Sequence, residues 1–294
     1  MKTVRYLYVG AALMLAAAAV CALSGCAGKK NIWGDIESGV ILEYRMKQGD
    51  VLKYEMVHEG SEKVEVMGQV NESATTKTYT FTVKSKGMQA KNLLLGITID
   101  SMEAGMKSPQ GEFTADTEDV VGKSFDMVLT PLGEEVDLSA ADEIKYSGGP
   151  MGDRSIKSDF EGVFSNLAGR PVKIGDSWES SDSLFVDQGN SQLTIKTESV
   201  HTLDGYETMK GLDCARIVTE FEGTITGTGE QMGAPLVFSG TTSGTETWYF
   251  AYKKGCLVDA SAEVASDLSV TVQMGQEMKI PVTSSGHMET TLIE

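Results

Sequence analysis

Apolar and polar residues alternate along most of this 294-residue chain, and this period of two restricts its fold more than any other feature. The runs 78–84, 95–99 and 268–274 are clear examples, each with apolar residues at every second position. The pattern is typical of strands that bury one face. Because many such runs are separated by short turn sequences, we predict a mainly β protein with antiparallel curved sheets or half-barrels.

Residues 151–169 differ from the rest, because their apolar residues recur at the helical period of 3.6. Five of them share one helix face: Ile156, Phe160, Val163, Phe164 and Leu167. Asp153 could cap the start of this helix, Gly169 could end it, and Pro171 would prevent it from resuming. We therefore predict an amphipathic helix at 151–169 that links a β-rich half at 40–150 to a second at 170–294.

Two short motifs recur in the two halves at similar spacing. The motif K-x-G-D occurs at 47–50 and at 173–176, and G-x-x-V-D-x-S-A begins at Gly133 and at Gly255. The recurrence favours an internal duplication. Gly-Asp and Lys-Gly are also common turn residues, so two unrelated turns of similar chemistry are the alternative.

The N-terminus resembles the signal peptide of a bacterial lipoprotein. Lys2 and Arg5 precede an uncharged run that is short for a membrane span. The run ends in Leu23-Ser24-Gly25-Cys26, which resembles the lipobox, whose cysteine is lipidated and becomes the new N-terminus. We predict a signal peptide at 1–26, lipidation of Cys26 and a flexible tether at 27–39. Ordinary secretion or a retained anchor are the alternatives.

The lipobox resemblance implies a lipid-anchored protein of the cell envelope. Bacterial lipoproteins carry at least two acyl chains, which is enough for stable anchoring. Ala27 stands where an aspartate would resemble the inner-membrane retention signal. In a Gram-negative cell, this favours the outer membrane, with the protein facing the periplasm.

The chain is acidic, with 25 basic and 42 acidic residues. Lys2 and Arg5 fall in the segment predicted to be removed, so the remaining chain would carry 23 basic residues against 42 acidic ones, a net charge of −19. Nucleic acids and anionic lipid surfaces need a basic face, which this composition does not favour. The charge is dispersed, so a soluble, self-repelling surface explains it as simply as a cationic partner does.

Two cysteines remain after removal of Cys21 and lipidation of Cys26. Cys214 and Cys256 would lie in a compartment that permits disulfides. If their strands flank a third strand, the two cysteines lie two strand spacings apart, about 9 to 10 Å, which is too far for a disulfide. Two buried thiols and a bridge both stay open, with the thiols favoured.

The sequence contains no recognisable catalytic or metal-binding motif. It has neither HExxH nor CxxC spacing, and no G-x-S-x-G, so we predict a non-enzymatic protein without a metal or other cofactor. Asp50 and Asp176 suggest a carboxylate pair, but their repeated context favours turn residues.

Several weak motifs together resemble an uncharacterised family of bacterial lipoproteins of unknown function. They are the lipobox, the early K-x-G-D turn, P-V-K-I-G-D-S-W from Pro171, and Y-F-A-Y-K-K-G-C-L-V-D-A-S from Tyr249. A curved sheet with a helix against its concave face is also distantly similar to the periplasmic lipoprotein-carrier half-barrels. No functional residue carries over from either resemblance.

Three hypotheses of function follow from the sequence. The first is a non-enzymatic anchored protein that binds a lipid or another apolar ligand within a half-barrel, with Ile156, Phe160 and Phe164 as a plug. The expected ligand-binding residues are the inward-facing ones: Leu42, Tyr44, Leu52, Tyr54, Phe81, Ile97, Phe160, Phe164, Ile217, Phe221, Trp248 and Phe250.

The second hypothesis is a structural or interaction module with a packed interior that meets an envelope protein, and the third is a hydrolase assembled from distant loops. A pocket of about 300 Å³ or more would favour the ligand binder, and a filled interior would favour the module.

Overall fold

Twelve antiparallel strands form one curved sheet in the computed structural model of this protein, which describes residues 33–148, 152–187, 191–231, 233–274 and 276–294. The predicted signal peptide, Cys26 and the start of the predicted tether lie outside the described residues. A small hairpin of β1 (Gly34–Asp35) and β2 (Gly39–Val40) precedes the sheet. The described residues thus include the last part of the segment predicted as a tether.

The first half of the chain forms one meander of the sheet. Its strands are β3 (Val51–Val66), β4 (Gln69–Gln89), β5 (Asn92–Ser108), β6 (Gly111–Thr114), β7 (Ser124–Leu129) and β8 (Glu135–Asp137). Each pairs with its neighbour in the chain, except that β5 pairs with β6 along one part of its length and with β7 along another.

The second half forms a longer meander. Its strands are β11 (Ser177–Asp187), β12 (Ser191–Met209), β13 (Leu212–Gln231), β14 (Ala234–Ala251), β15 (Cys256–Met274) and β16 (Gln276–Leu292). The pairing of β16 with β3 joins the two meanders into one continuous sheet, which runs from β11 at one edge to β8 at the other. The strands of the two meanders differ in length and in pairing pattern, so the structure does not show two repeated halves.

Residues 138–148 and 152–176, here called the linking segment, connect the two meanders. They contain a 3₁₀ turn (Ser139–Glu143), a short pair of β9 (Lys145–Ser147) with β10 (Asp153–Ser155), and the helix α1 (Lys157–Phe160). The remainder is irregular chain that packs over one face of the sheet.

The predicted helix at 151–169 is wrong in extent, since α1 has only four residues. Asp153 pairs in β10 and does not cap a helix. Glu161 adopts an extended conformation, and Gly162 has a φ of 82°, outside the right-handed helical region. The apolar residues of the segment still face inward, because Ile156, Phe160 and other members bury their side chains through a helical turn followed by irregular chain.

The larger of two buried hydrophobic clusters in the described residues, here called the core, lies between the sheet and the segments that cross it. Residues from both meanders and from the linking segment belong to the same cluster of buried side chains. The predicted first strand after residue 40 belongs here too, but it forms no strand of the main sheet. Tyr44 instead donates its backbone N–H to Pro131, and Arg45 donates to Gly255, so this segment runs across the core against two turns.

Candidate functional site

Eleven of the twelve predicted ligand-binding residues lie in that core. These eleven are Leu42, Tyr44, Leu52, Tyr54, Phe81, Ile97, Phe160, Phe164, Ile217, Trp248 and Phe250, and Phe221 alone is half-buried outside the cluster. The void that remains beside Tyr44, Tyr54 and Phe164 measures only about 10 Å³. A space of this size is at the lower limit for a single water molecule. The expected interior site is therefore filled by the protein's own side chains.

Aromatic rings contribute to this filling. The Phe160 ring meets Phe81 at 5.1 Å and Phe125 at 5.2 Å between centroids, both edge to face. Tyr44 contacts Phe164 at 5.5 Å in the same way. Such arrangements stabilise a core beyond the area that they bury. The segment predicted as a plug is thus packed into the core in this structure.

A separate cleft of about 420 Å³ opens beside the core, between the linking segment and the inner face of β11 to β14. Its size falls within the range of small-ligand sites. Six residues carry its chemistry: Glu135, Phe164, Asp182, His201, Phe221 and Glu246. Two of them, Phe164 and Phe221, were predicted from the sequence, and the other four were not.

Glu246 stands on the inner face of β14, beside Thr219 on β13 and Ala262 on β15. It is half-buried. Burial raises the pKa of its carboxyl to about 7, although a hydrogen bond with Ser165 opposes the shift. At neutral pH this carboxyl exchanges between its charged and neutral forms, which is a property shared by many functional sites.

Glu135 approaches the cleft from the other side, at the start of β8. The backbone N–H of Gly162 donates to both of its carboxyl oxygens at 3.1 Å. Burial raises its pKa to about 8, the nearby charges of Glu161 and Asp182 add to this, and the hydrogen bond from Gly162 opposes it. Asp182 accepts from the side-chain amide of Asn166 at 3.1 and 3.2 Å.

A series of hydrogen bonds passes through Thr219 and His201, two residues that line the cleft. Trp248 donates its indole N–H to Thr219 Oγ1 at 3.0 Å, Thr219 Oγ1 lies 2.8 Å from His201 Nδ1, and His201 Nε2 lies 2.9 Å from Ser180 Oγ. Trp178 stacks on the imidazole at 5.4 Å. Burial lowers the pKa of His201 to about 4, so the ring is neutral at pH 7.

The direction of these hydrogen bonds determines whether His201 Nε2 donates a proton to Ser180 or accepts one from it. Thr219 accepts from Trp248, and within the described residues His201 Nδ1 is its only side-chain acceptor. All of these groups are satisfied when Thr219 donates to Nδ1, and we therefore assign the single imidazole proton to Nε2, facing Ser180. A serine nucleophile needs an acceptor at that position, so this tautomer does not activate Ser180.

The sequence contained a signal for this cleft. Thr219 interrupts an otherwise apolar strand face between Ile217 and Phe221, and Glu246 stands two residues before Trp248 on the next strand. Polar residues on an inward face need partners, and strand pairing brings these two together. Register could not be derived from the sequence, so their proximity was not predicted.

The described residues contain no group of three or more His, Cys, Asp or Glu side chains arranged to hold a metal ion. A search of the same residues found no helix of the length and apolarity needed to span a membrane.

Comparisons with known proteins do not assign the chain to a family. No protein-family model matches it, and no curated protein matches it. Among solved structures, an outer membrane channel from Pseudomonas putida covers 84% of this chain and 97% of its own, at 6% identity and a TM-score of 0.24.

Two further solved structures are similarly distant. OccK2 (OpdF) from Pseudomonas aeruginosa in complex with glucuronate covers 83% of this chain and 99% of its own, at 6% identity and a TM-score of 0.23. A DUF1329 family protein from Desulfovibrio piger covers 81% and 83%, at 12% identity and a TM-score of 0.15. Scores this low support no inference about function.

Proposed function

We propose that this protein is a lipid-anchored, non-enzymatic binding module of the bacterial cell envelope, with a packed interior and its recognition site in the cleft. The observation that supports it best is the contrast between the void of about 10 Å³ in the core and the cleft of about 420 Å³ beside it. A ligand can enter the cleft without displacing any side chain of the core.

Support for the anchor comes from the sequence. The segment Leu23-Ser24-Gly25-Cys26 has the character of a lipobox, and Ala27 favours the outer membrane facing the periplasm in a Gram-negative cell. In cells grown with a radiolabelled fatty acid, we expect label in this protein and recovery in the membrane fraction. Cys26→Ala should abolish the labelling. Unlabelled wild-type protein in the soluble fraction would contradict the anchor.

Binding of a lipid or apolar ligand inside the half-barrel is the competing hypothesis. It would require the linking segment to leave the sheet and remove Phe160 and Phe164 from their aromatic contacts. Exposing side chains of this size costs about 1.5 to 3 kcal/mol each. A ligand would have to offset that cost before binding with net affinity, and the packed core supports the module more directly.

Native mass spectrometry separates these two hypotheses. The chain from residue 28, which keeps every described residue and lacks Cys26, would be exported to a periplasm and purified. We expect the bare protein mass, also after incubation with mixed envelope lipids. A bound species of lipid mass that is lost on unfolding would overturn the packed module in favour of the lipid binder.

A hydrolase is the second candidate, because Ser180 lies in hydrogen-bonding contact with His201, which lines the cleft. The tautomer of His201 and its low pKa oppose this activity. We expect no burst of p-nitrophenolate when the protein is mixed with p-nitrophenyl acetate. A burst that Ser180→Ala removes would establish the hydrolase instead.

A further inference from the structure

We propose that the free edge of β11 is a docking surface for an extended, basic polypeptide segment, which adds to the sheet as one more antiparallel strand. The surface follows the backbone from Glu179 to Phe185 and is here called the β11 edge. It is separate from the recognition site proposed in the cleft, because it acts through main-chain hydrogen bonds at the border of the sheet. The inference therefore does not depend on what the cleft binds.

The β11 edge is a long unpaired border of the sheet. Among the described strands, β11 has eleven residues and pairs only with β12, whereas the border strands β6 and β8 at the other side have four and three residues. From Trp178 to Val186, β11 forms no backbone hydrogen bond with any part of the described chain other than β12. An unpaired strand of this length offers its N–H and C=O groups to another strand.

The register of β11 shows which of its backbone groups point outward. Just before the strand begins, the Leu203 N–H donates to the backbone oxygen of Asp176 at 3.0 Å, so even-numbered positions face β12. The pairing then continues to Asp187 without a bulge. Arg170 donates to the outward backbone oxygen of Ser177 at 2.9 Å, as this alternation requires. The residues whose backbone groups point away from β12 are therefore Glu179, Ser181, Ser183 and Phe185.

These four residues are also exposed, so solvent reaches the β11 edge. Proteins commonly protect such an edge with a lysine, a proline, a bulge or a short strand. The described strand β11 has none of these features. Its only charged residues are acidic, which prevents pairing between like strands and leaves the edge open to a strand of opposite charge.

Charge identifies the occupant as a basic segment. The four glutamates that border an open groove of about 860 Å³ beside the β11 edge are Glu179, Glu198, Glu220 and Glu222. No lysine or arginine is among the described residues that line this groove. A second copy of the chain would bring its own acidic β11 against these carboxylates, which is unfavourable. Lysine or arginine side chains on the added strand would instead face opposite charges.

Phe185 specifies the other end of the added strand. Its ring is 49% exposed, and it shares a face of β11 with Glu179, which lies six residues earlier. An antiparallel partner would place an apolar residue beside Phe185 and a cation six residues later beside Glu179. Lys196 lies opposite Ser183 on β12, so a neutral residue fits between them.

Fluorescence anisotropy on the processed, lipid-bearing protein in a non-ionic detergent tests the proposal. The probe is fluorescein-labelled Thr-Val-Thr-Thr-Thr-Lys-Thr-Lys-Thr-amide, whose valine would lie opposite Phe185 and whose lysines would lie opposite Ser181 and Glu179. We expect saturable binding, and binding about tenfold weaker or less when glutamates replace the lysines. Glu179→Gln, at an exposed position, should weaken binding of the lysine peptide about threefold.

Two N-methylated peptides of equal charge distinguish strand addition from electrostatic attraction alone. Methylation of the fourth and sixth residues, opposite Ser183 and Ser181, removes N–H groups that would pair with the β11 edge and should abolish binding. Methylation of the third and fifth residues alters N–H groups that point away from β11. This second peptide should keep its affinity within about twofold.

Ser181→Pro makes the matching change in the protein. The Ser181 N–H points outward and the residue does not line the cleft, so proline preserves the pairing of β11 with β12 and obstructs an added strand. We expect at least about tenfold weaker binding of the lysine peptide, and wild-type affinity in Ser181→Ala. Similar urea midpoints would verify that both variants are folded. If Ser181→Pro is unfolded, the two methylated peptides decide the question.

Three outcomes would overturn the β11 edge as the docking surface. They are the absence of saturable binding, equal affinity of the two methylated peptides, and a dimer in sedimentation velocity that Ser181→Pro dissociates. The last result would assign the edge to a second copy of the chain. The native mass spectrum decides the packed binding module separately, since a lipid adduct there leaves these main-chain contacts untouched.

Discussion

Asp159 fastens the linking segment to the sheet. The side chain is only 7% exposed, forms an ion pair with Lys77 on β4, and accepts a hydrogen bond of 2.6 Å from the Tyr79 hydroxyl. Burial and the adjacent carboxylate raise the pKa of Tyr79 far above its ordinary value, so the phenol remains a donor at any physiological pH. A buried charge is tolerated here because both of its oxygens have partners.

Removing this carboxylate should destabilise the fold strongly. Asp159→Ala leaves the Lys77 ammonium and the Tyr79 hydroxyl without their partner, and we expect a loss of about 3 kcal/mol in the free energy of unfolding. Urea denaturation measures it. Asp126→Ala is the control, because its ion pair with Lys86 is about half exposed. The control should lose less than about 1 kcal/mol, and equal losses would refute the fastening role.

Glu246 gives the stability a pH dependence of predictable sign. Its pKa is about 7 in the fold against an ordinary value of 4.5, so the native state binds more protons than the unfolded chain between these values. Stability contributed by this group is then present at low pH and is lost as pH rises from about 4.5 to about 7. The raised pKa of Glu246 reflects the free-energy cost of placing a charged carboxylate in the partly buried cleft.

The substitution Glu246→Gln should remove this loss of stability at higher pH. We expect the variant to be more stable than the wild type at pH 8 by about 1 kcal/mol, a value reduced for partial solvent screening, and equally stable at pH 4. Thermal unfolding across this range is the measurement, with Glu179→Gln as the reference. If the stability of the variant depended on pH in the same way as that of the wild type, Glu246 would be ionised in the fold without a loss of stability.

At the scale of single elements, the K-x-G-D turns were well predicted. In both turns the aspartate side chain accepts the backbone N–H of the lysine, at 2.8 Å from Lys47 to Asp50 and at 3.0 Å from Lys173 to Asp176. Each glycine has a φ near 90°. The interpretation of both aspartates as turn residues is confirmed. A common origin of the two turns stays a prediction.

The linking segment was predicted less well, for an identifiable reason. Its apolar spacing satisfies a helical period, yet the same residues reach the core from irregular chain. A four-residue helix has little intrinsic stability, so tertiary packing against β4 and β7 decides the backbone path. Gly162, whose positive φ marks the change, looked like an ordinary helical position in the sequence.

Glycines allow neighbouring strands of the second meander to approach closely. A Cβ on Gly244 would lie 2.2 Å from the backbone oxygen of Glu263 and 2.5 Å from the Phe221 ring. Gly223 has a similar clash, 2.3 Å from the backbone oxygen of Lys196. No side chain fits in such spaces without moving the strands, so these residues permit the curvature of the sheet.

Gly244→Ala should therefore destabilise the protein by about 1 to 3 kcal/mol, because the added methyl must displace a strand backbone. Gly205→Ala is a matched control on β12, since nothing lies within 4 Å of its added Cβ and its φ is not in the left-handed region. The control should change stability by less than about 0.5 kcal/mol. Equal effects in chemical denaturation would refute the packing explanation.

At the scale of the whole molecule, the β16–β3 pairing makes two meanders into one folding unit. The core cluster contains residues from both meanders, including the free thiols of Cys214 and Cys256. Burial raises the pKa of Cys256 to about 11, which suppresses its reactivity. The favoured alternative of two buried thiols agrees with the structure.

We expect a single unfolding transition in the chain from residue 28. Tryptophan fluorescence and the reaction of the two thiols with 5,5′-dithiobis(2-nitrobenzoic acid) should report the same urea midpoint. Two separated midpoints would mean that the meanders unfold independently. Fewer than two reactive thiols in the unfolded, unreduced protein would indicate a disulfide.

The sequence by itself determined the fold class and the inward-facing residues, because a period of two assigns each strand residue to a face without knowledge of its partner strand. It also carried the lipobox resemblance, which depends on contiguous residues. Only the tertiary structure decided that the inward faces of both meanders and the linking segment meet in one packed core, with a cleft beside it. Pairing register, as between Thr219 and Glu246, depends on contacts far apart in the chain, and such contacts leave no local pattern to read.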